Sequence, residues 1–499
     1  MPYVDYVGIV LDRANGSSLY LQLTEALASA VAGGELALGE RLPSERELAG
    51  TLGVSRTTVV AAYRELEARG LVRGHVGRGT FVVGGMGADD EGAPFAWRGK
   101  LASGARRFSD PALRALVEEV GPDTISFGPA MPALDRFPVD AFRRLADRVL
   151  RRGAEASLGL LPTEGHPPLR EELAARCGTK PGEVLIVSGA QQGLDLITRC
   201  LVDPGDAVVV DRPGYLGAIQ TFLSAGANLV GWDIERADPE ELEDLLLRHR
   251  PKLIYTNPTF QNPTALTLSL AKRRELLRVA RRHRVAVVED EPYRELRFAG
   301  SPVPPPTLRE LDEGSLVIHL GTFSKSLAAG LRLGWVLAPG PVVEQLALVK
   351  VRTDIFGNAL SQLVVAEMLA TDLFDAHVAS LREEHHKRYM ALVRSLERGL
   401  PPGTLSWRTV EGGLYLWCRL SGPGFDSSRL QGEAERVGVS FVAGRPFYAD
   451  GGGGRYLRLC YARLPPAEIE RGAGRLAELF ARKTGHRSPG VSSPPRPLV

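Results

Sequence analysis

Between residues 184 and 320, short apolar runs rich in β-branched residues alternate with longer stretches whose apolar positions recur every three or four residues. The runs at 184–187, 207–210, 252–255, 285–288 and 315–320 predict strands, and 191–201, 216–223 and 270–283 predict helices. Continuously apolar strands alternating with helices predict a mostly parallel sheet covered on both faces. The first 85 residues follow a different pattern. Leu19, Leu23, Leu27 and Ala30 or Val31 share one face of a helix that Gly33 and Gly34 end. Ser44 with Glu47 makes a capping box opening a helix to about residue 52, and Gly53 breaks it. Ser55 caps a second helix to about residue 66, and residues 71–73 and 80–83 predict a hairpin with residues 74–79 at its tip. Near the other end, residues 405–420, 439–442 and 456–461 predict strands of a smaller α+β part.

These patterns divide the chain. Residues 1–85 form one domain, 86–115 a flexible linker rich in Gly, Asp and Glu, and 116–483 a larger domain. Within the latter, a large part covers about 160–375 and a small part about 376–483. The Ser/Pro-rich stretch 484–499 is expected to be disordered. At 499 residues each domain can bury its own core. The net charge of +2 names no partner. Four scattered cysteines, with no C-x-x-C pair, suggest reduced thiols and no zinc site. No metal is expected. No basic-then-apolar leader and no apolar run of membrane-spanning length are present in the sequence, so a cytoplasmic protein without membrane contact is expected.

The two short helices across a Gly turn match a helix-turn-helix, and the hairpin behind them a wing. Between positions 41 and 82 seven arginines face four glutamates, a local excess that suits a phosphate backbone. Arg56, Thr57 and Thr58 open the second helix, where side chains reach base edges in a major groove, and Arg78 stands at the wing tip. Residues 18–83 resemble the GntR family of winged-helix regulators. The resemblance rests on Leu42-Pro43-Ser44-Glu45-Arg46-Glu47-Leu48-Ala49, Val54-Ser55-Arg56-Thr57-Thr58-Val59 and Gly77-Arg78-Gly79-Thr80-Phe81-Val82. It implies that Arg46, Ser55, Arg56, Thr57, Thr58, Gly77 and Arg78 approach a double-stranded operator. Some members carry an arginine where Val60 stands, so their operator does not transfer.

In the larger domain the residues after each strand are the ones to read, because sites in such sheets lie at strand C-terminal ends. Ser188-Gly189-Ala190-Gln191 offers backbone N–H groups to a phosphate. Tyr215 follows the second strand, Asn262 the third and Asp290 the fourth. The fifth leads to Gly321-Thr322-Phe323-Ser324-Lys325-Ser326, with Arg332 seven positions beyond Lys325. A held, partly deprotonated lysine attacks an aldehyde, and a hydroxyl with a guanidinium suits a phosphate. A phosphorylated aldehyde bound through lysine is pyridoxal 5'-phosphate. A carboxylate such as Asp290 would keep its pyridine nitrogen protonated. Arg458, amid apolar residues, needs a carboxylate partner from a ligand or from the chain itself.

Residues 124–481 resemble fold-type I pyridoxal-phosphate aminotransferases, particularly the aminoadipate and kynurenine branch. The matching motifs are Asn262-Pro263-Thr264, Asp290-x-x-Tyr293 and Ser324-Lys325 with Arg332. The resemblance implies that Lys325 carries the cofactor. Asp290 would pair with the ring nitrogen, Asn262 and Tyr293 with the ring hydroxyl, and Tyr215 would stack on the ring. Gly189, Ala190, Gln191, Ser324 and Arg332 would hold the phosphate. Arg458 would take a substrate or effector α-carboxylate. Two positions depart: Leu160 stands where many relatives have a partner-donated tyrosine, and Ala265 where they have glycine. A GntR-like reader joined to such a domain resembles the MocR subgroup, which implies a head-to-tail homodimer. Two readings stay open at this point. One is a transcription regulator sensing the cofactor or an amino acid, and the other a working aminotransferase that carries a DNA-binding domain.

Overall fold

A computed structural model describes Ile9, Leu11 and residues 18–32, 35–36, 39–75, 79–83, 121, 123–132, 134–313, 315–422 and 424–484. The chain divides into two compact units, Met1–Arg106 and Arg107–Val499. The expected linker at 86–115, the wing-tip residues Gly77 and Arg78, and the tail beyond residue 484 lie outside the described residues.

The first unit contains α1 (Leu19–Ala32), α2 (Glu45–Leu52), α3 (Arg56–Ala68), β1 (Val72–His75) and β2 (Gly79–Val82), the last two pairing antiparallel. Ser44 opens α2 with the full capping box: its Oγ accepts from the Glu47 amide at 3.3 Å, and its own amide donates to Glu47 Oε2 at 2.9 Å. Gly53 makes the turn to α3 at φ 63°, a left-handed conformation open to glycine. Ser55 Oγ accepts from the Thr58 amide at 3.2 Å to start α3. Leu23 and Leu27 of α1, Leu48 of α2, and Val59, Ala62 and Leu66 of α3 meet with no exposed surface. Each leucine buried this way contributes roughly 2 kcal/mol, which sets the angle between α2 and α3.

In the second unit a seven-stranded sheet runs in the order β4 (Val184–Val187), β10 (Gly334–Leu337), β9 (Val317–Thr322), β8 (Ala286–Asp290), β7 (Leu253–Thr256), β5 (Ala207–Arg212), β6 (Asn228–Asp233). Strands β5 to β9 pair parallel, and β10 is antiparallel to both β4 and β9. Alternate side chains feed two cores. Val208 and Val210 join one with Phe222 and Tyr255, while Val209 joins the other with Trp232 and Ile254. The smaller sheet is β11 (Leu405–Trp407), β12 (Tyr415–Leu420), β15 (Tyr456–Cys460), β14 (Val442–Ala443). The stretch 439–442 supplies two strands to two sheets, for β13 (Val439–Ser440) pairs parallel with β3 (Ile125–Ser126) instead. That pairing leads residues 127–131 across to the strand ends where the candidate site lies. Among the described residues no helix is long and apolar enough to cross a membrane.

Candidate functional site

Lys325 follows β9 in a single π-type turn, Ser324–Ala328, a wide turn often found at functional positions. Its Nζ donates to the Ala130 carbonyl at 2.8 Å and lies 3.8 Å from Met131 Sδ. Burial lowers its pKa to about 8, with Arg458 and Arg332 adding repulsion against the opposing pull of Cys460 and Asp290. Ser324 is fixed beside it, its amide donating to Thr322 Oγ1 at 3.1 Å.

Asp290 is the last residue of β8 and is buried. Oδ2 accepts from the Tyr255 hydroxyl at 2.5 Å, while Oδ1 has no partner. Burial raises this carboxyl to about 6, opposed by the Tyr255 hydrogen bond. A neighbouring aspartate, Asp211, is also buried and raised to about 7 by burial; it accepts from the Asn257 amide at 2.8 Å. Asn257 in turn donates to the Asp290 carbonyl at 2.5 Å.

Arg458 on β15 is 2 % exposed. It donates to Asn262 Oδ1 at 2.9 Å and to the Gly128 carbonyl at 2.8 Å, and its Nε has no partner. Its guanidinium lies over Tyr415 at 4.4 Å and Phe447 at 5.1 Å. Among the described residues Arg458 makes no ion pair with a carboxylate, so the buried charge lacks a counter-ion. Aromatic faces and two neutral oxygens offset only part of that cost. Tyr293 stands beneath, its hydroxyl 2.8 Å from that of Tyr415.

At the start of the helix Ala190–Leu201, Gly189 sits at φ 86° with no capping side chain. A Cβ there would stand 2.9 Å from Arg332 Nη2, which donates to the Ser188 carbonyl at 2.7 Å. Tyr215 reaches the same helix, its hydroxyl 3.2 Å from Gln191 Oε1. Ala265 adopts φ 56°, a left-handed backbone that glycine would enter without strain.

The structure therefore brings Gly189, Ala190, Gln191, Tyr215, Asn262, Asp290, Tyr293, Ser324, Lys325, Arg332 and Arg458 to one end of the large sheet. Tyr255, Tyr415, Asn257 and the carbonyls of Gly128 and Ala130 join them unannounced by the sequence. Tyr255 and Tyr415 lie inside strands, where an aromatic residue reads as packing. Gly128 and Ala130 arrive only through the two-residue strand β3. In the first unit Arg46, Ser55, Arg56 and Thr57 are exposed and Thr58 is half-buried. Arg56 donates to Glu45 Oε2 from Nε at 3.1 Å and from Nη2 at 2.8 Å. Among the described residues no cluster of His, Cys, Asp or Glu could hold a metal ion.

Residues 135–476 match the family described as aminotransferase class I and II, and residues 19–82 match bacterial regulatory proteins of the gntR family. The chain is 32% identical over 492 residues to a probable rhizopine catabolism regulatory protein MocR of Rhizobium meliloti, covering 95% of this chain and 96% of that one. It is 35% identical to 2-aminoadipate transaminase of Thermus thermophilus, over 77% of this chain and 97% of the enzyme. Among solved structures, the α-aminoadipate aminotransferase LysN of Thermus thermophilus, complexed with N-(5'-phosphopyridoxyl)-L-leucine, matches with a TM-score of 0.73 at 34% identity. That match covers 78% of this chain and 99% of LysN.

Proposed function

The chain belongs to the MocR subgroup of gntR-family regulators, a DNA-reading domain joined to a class I and II aminotransferase domain, and from that premise we propose that it regulates transcription in response to a ligand of the larger domain. The ligand is an amino acid, or the cofactor itself, received at Lys325. The observation that carries this reading is Arg458, a buried arginine without a counter-ion beside a lysine of lowered pKa.

The residues fit pyridoxal 5'-phosphate. When bound, it supplies an aldehyde that an amine can attack and a ring that withdraws electrons. Lys325, with a pKa of about 8, is partly deprotonated near neutral pH and serves as the attacking amine. The unpartnered Oδ1 of Asp290 is an acceptor for a ring N–H, and Tyr255 holds the carboxyl in place. The uncapped first turn from Gly189, with Ser324 and Arg332, supplies donors for a phosphate. Arg458 takes the α-carboxylate of an amino acid in a charge-assisted pair, with Asn262 and Gly128 orienting its guanidinium. On the first unit Arg46, Arg56, Thr57 and Thr58 face DNA, joined by Gly77 and Arg78 of the wing. A homodimer is part of the proposal. Leu160 is 84% exposed on the segment that the resemblance turns toward a partner subunit, which supports it.

The test is an absorbance spectrum of the purified protein with added pyridoxal phosphate, followed by a panel of amino acids and an assay for 2-oxo acids. A lysine-bound cofactor band is expected in the unmodified protein and absent from Lys325→Ala. One amino acid should shift the band without sustained oxo-acid release. A missing band in the unmodified protein sinks the cofactor assignment. Sustained oxo-acid formation with an added acceptor makes the chain a working aminotransferase instead.

A further inference from the structure

We propose that Asn257 is a positioning residue, which ties the cofactor side of the candidate site to Arg458 and sets how tightly a carboxylate is held there. This rests on the assignment of Arg458 to an α-carboxylate. Asn257 directly follows β7, and the sheet order places β7 between β5 and β8. It is 1% exposed. Its backbone N–H donates to Asp211 Oδ2, near the end of β5, at 2.8 Å. Its side-chain Nδ2 donates to the Asp290 carbonyl, at the end of β8, at 2.5 Å. Its Oδ1 accepts from the Asn262 backbone N–H at 2.8 Å. One short residue thus joins the strand end on either side to the loop that carries Asn262.

The chemistry of the amide suits that place. A carbonyl needs a donor and a backbone N–H needs an acceptor, and an asparagine offers one of each from a single rigid plane. A carboxylate would set oxygen against the Asp290 carbonyl, and an apolar side chain would serve neither group. The two partners also fix which way the amide faces, because the reverse orientation sets oxygen against oxygen. Asp290 and Asn262 are buried with it, and a hydrogen bond left unmade in such surroundings is costly.

The effect reaches Arg458 through Asn262. The Asn262 backbone is held by Asn257, and its side-chain Oδ1 accepts from Arg458 Nη1 at 2.9 Å. With that oxygen committed to the arginine, Asn262 Nδ2 is the group left to donate toward a cofactor ring. Tyr415 and Phe447 cover the face of the guanidinium, which leaves its direction within its own plane to Asn262 and Gly128. That direction decides whether a carboxylate meets two N–H groups or one. Lys325 stands apart, on the turn after β9, and its amine donates to the Ala130 carbonyl instead. Loss of the Asn257 side chain should therefore act on the carboxylate and spare the lysine.

Glutarate and 4-methylpentanoate are suitable probes, because a carboxylate without an amine pairs with Arg458 but does not condense with an aldehyde. Calorimetric titration of the full-length protein, with and without added pyridoxal phosphate, should show saturable binding of at least one of them. Asn257→Ala should weaken that binding about fivefold to tenfold, the worth of about one hydrogen bond, and leave the lysine-bound cofactor band in place. In an Arg458→Lys background the same change should cost less than about twofold, since an ammonium has no plane to aim. An unchanged affinity in Asn257→Ala overturns the proposal. An equal loss in the Arg458→Lys background also overturns it, because general loosening of the site does not depend on a guanidinium. Should Asn257→Ala fail to fold, Asn257→Asp keeps the volume and the acceptor for Asn262 but not the donor to Asp290. At pH 8 it too should weaken the probe at least fivefold, and unchanged binding overturns the proposal in the same way. If neither carboxylate binds the unmodified protein, the assignment of Arg458 fails and this proposal with it. Binding that Asn257→Ala leaves untouched removes Asn257 alone.

Discussion

Arg458 concentrates the chemistry of the larger unit at one residue. A charge-assisted hydrogen bond is worth about 1.5–3 kcal/mol, or roughly ten- to a hundred-fold in affinity. Replacing Arg458 by methionine should therefore weaken the amino-acid response by that factor while the lysine-bound cofactor band persists. Amino-acid titration read by absorbance checks this, and an unchanged midpoint would show that Arg458 is a structural residue only. Lys325 makes a second prediction. Only its neutral amine attacks an aldehyde, so cofactor capture should speed up about tenfold per pH unit below about 8 and level off above it. Stopped-flow absorbance follows the rate; a flat profile between pH 6 and 8 would contradict the lowered pKa.

A third residue acts on stability instead. His385 lies on the helix Leu373–Gly399, buried, with neither ring nitrogen hydrogen-bonded. Burial, then the neighbouring Arg388, lowers its pKa to about 3. The folded state thus holds it neutral, while the unfolded chain charges it near 6.5. Its contribution is fully present above about pH 6.5 and is lost as pH falls from there toward 3. At pH 5 the loss is about 2 kcal/mol at 1.36 kcal/mol per pH unit. Denaturant unfolding at pH 7 and pH 5 should show this loss, and His385→Gln should remove it.

Among the elements, α3 is presented by a small core and two caps, so its loss of aim is measurable. Ser44→Ala removes the capping box and should cost about 1 kcal/mol, lowering the melting of the first unit. Arg46→Ala should weaken binding across all DNA sequences and reduce the salt slope by about 1, read from affinities at several salt concentrations. An unchanged slope would remove Arg46 from the DNA face. The exposed pair of Arg56 with Glu45 holds Arg56 by at most about 1 kcal/mol, so phosphate can displace it.

The elements legible in the sequence were those whose burial leaves a period. Residues 184–187 and 270–283 read directly because a two-sided core demands unbroken Val, Leu and Ile, and an amphipathic helix demands spacing. β6 is half-exposed at the sheet edge and carries Gly231, so its run is broken. β10 begins at Gly334, where a Cβ would meet Ala190 N at 2.9 Å; close packing removed the side chain that a strand signal needs. β3 is two residues long and has no period to read, and the apolar run 439–442 was legible as a strand but not as β13 and β14 in two different sheets. The candidate site was legible where side chains at strand ends had no packing explanation, as at Asp290 and Lys325. It was hidden where backbone carbonyls or strand aromatics supply the contacts, as at Ala130 and Tyr255.

At the scale of the whole molecule, regulation requires that ligand and DNA each prefer one of two states of the same chain. A ligand with equal affinity for both states would shift nothing, however tightly it bound. If an amino acid changes operator affinity by some factor, the operator must change amino-acid affinity by that same factor, because both paths close one thermodynamic cycle. For couplings of about 1–3 kcal/mol the factor is about 5- to 150-fold. Operator affinity measured with and without the amino acid, and amino-acid affinity measured with and without operator, should agree in it. Arg458→Met should remove the response of the DNA to the amino acid without changing DNA affinity in its absence, since the arginine belongs to the larger unit alone. Two affinities indifferent to each other, for every amino acid and for the cofactor, would mean that the two units share a chain without sharing a function.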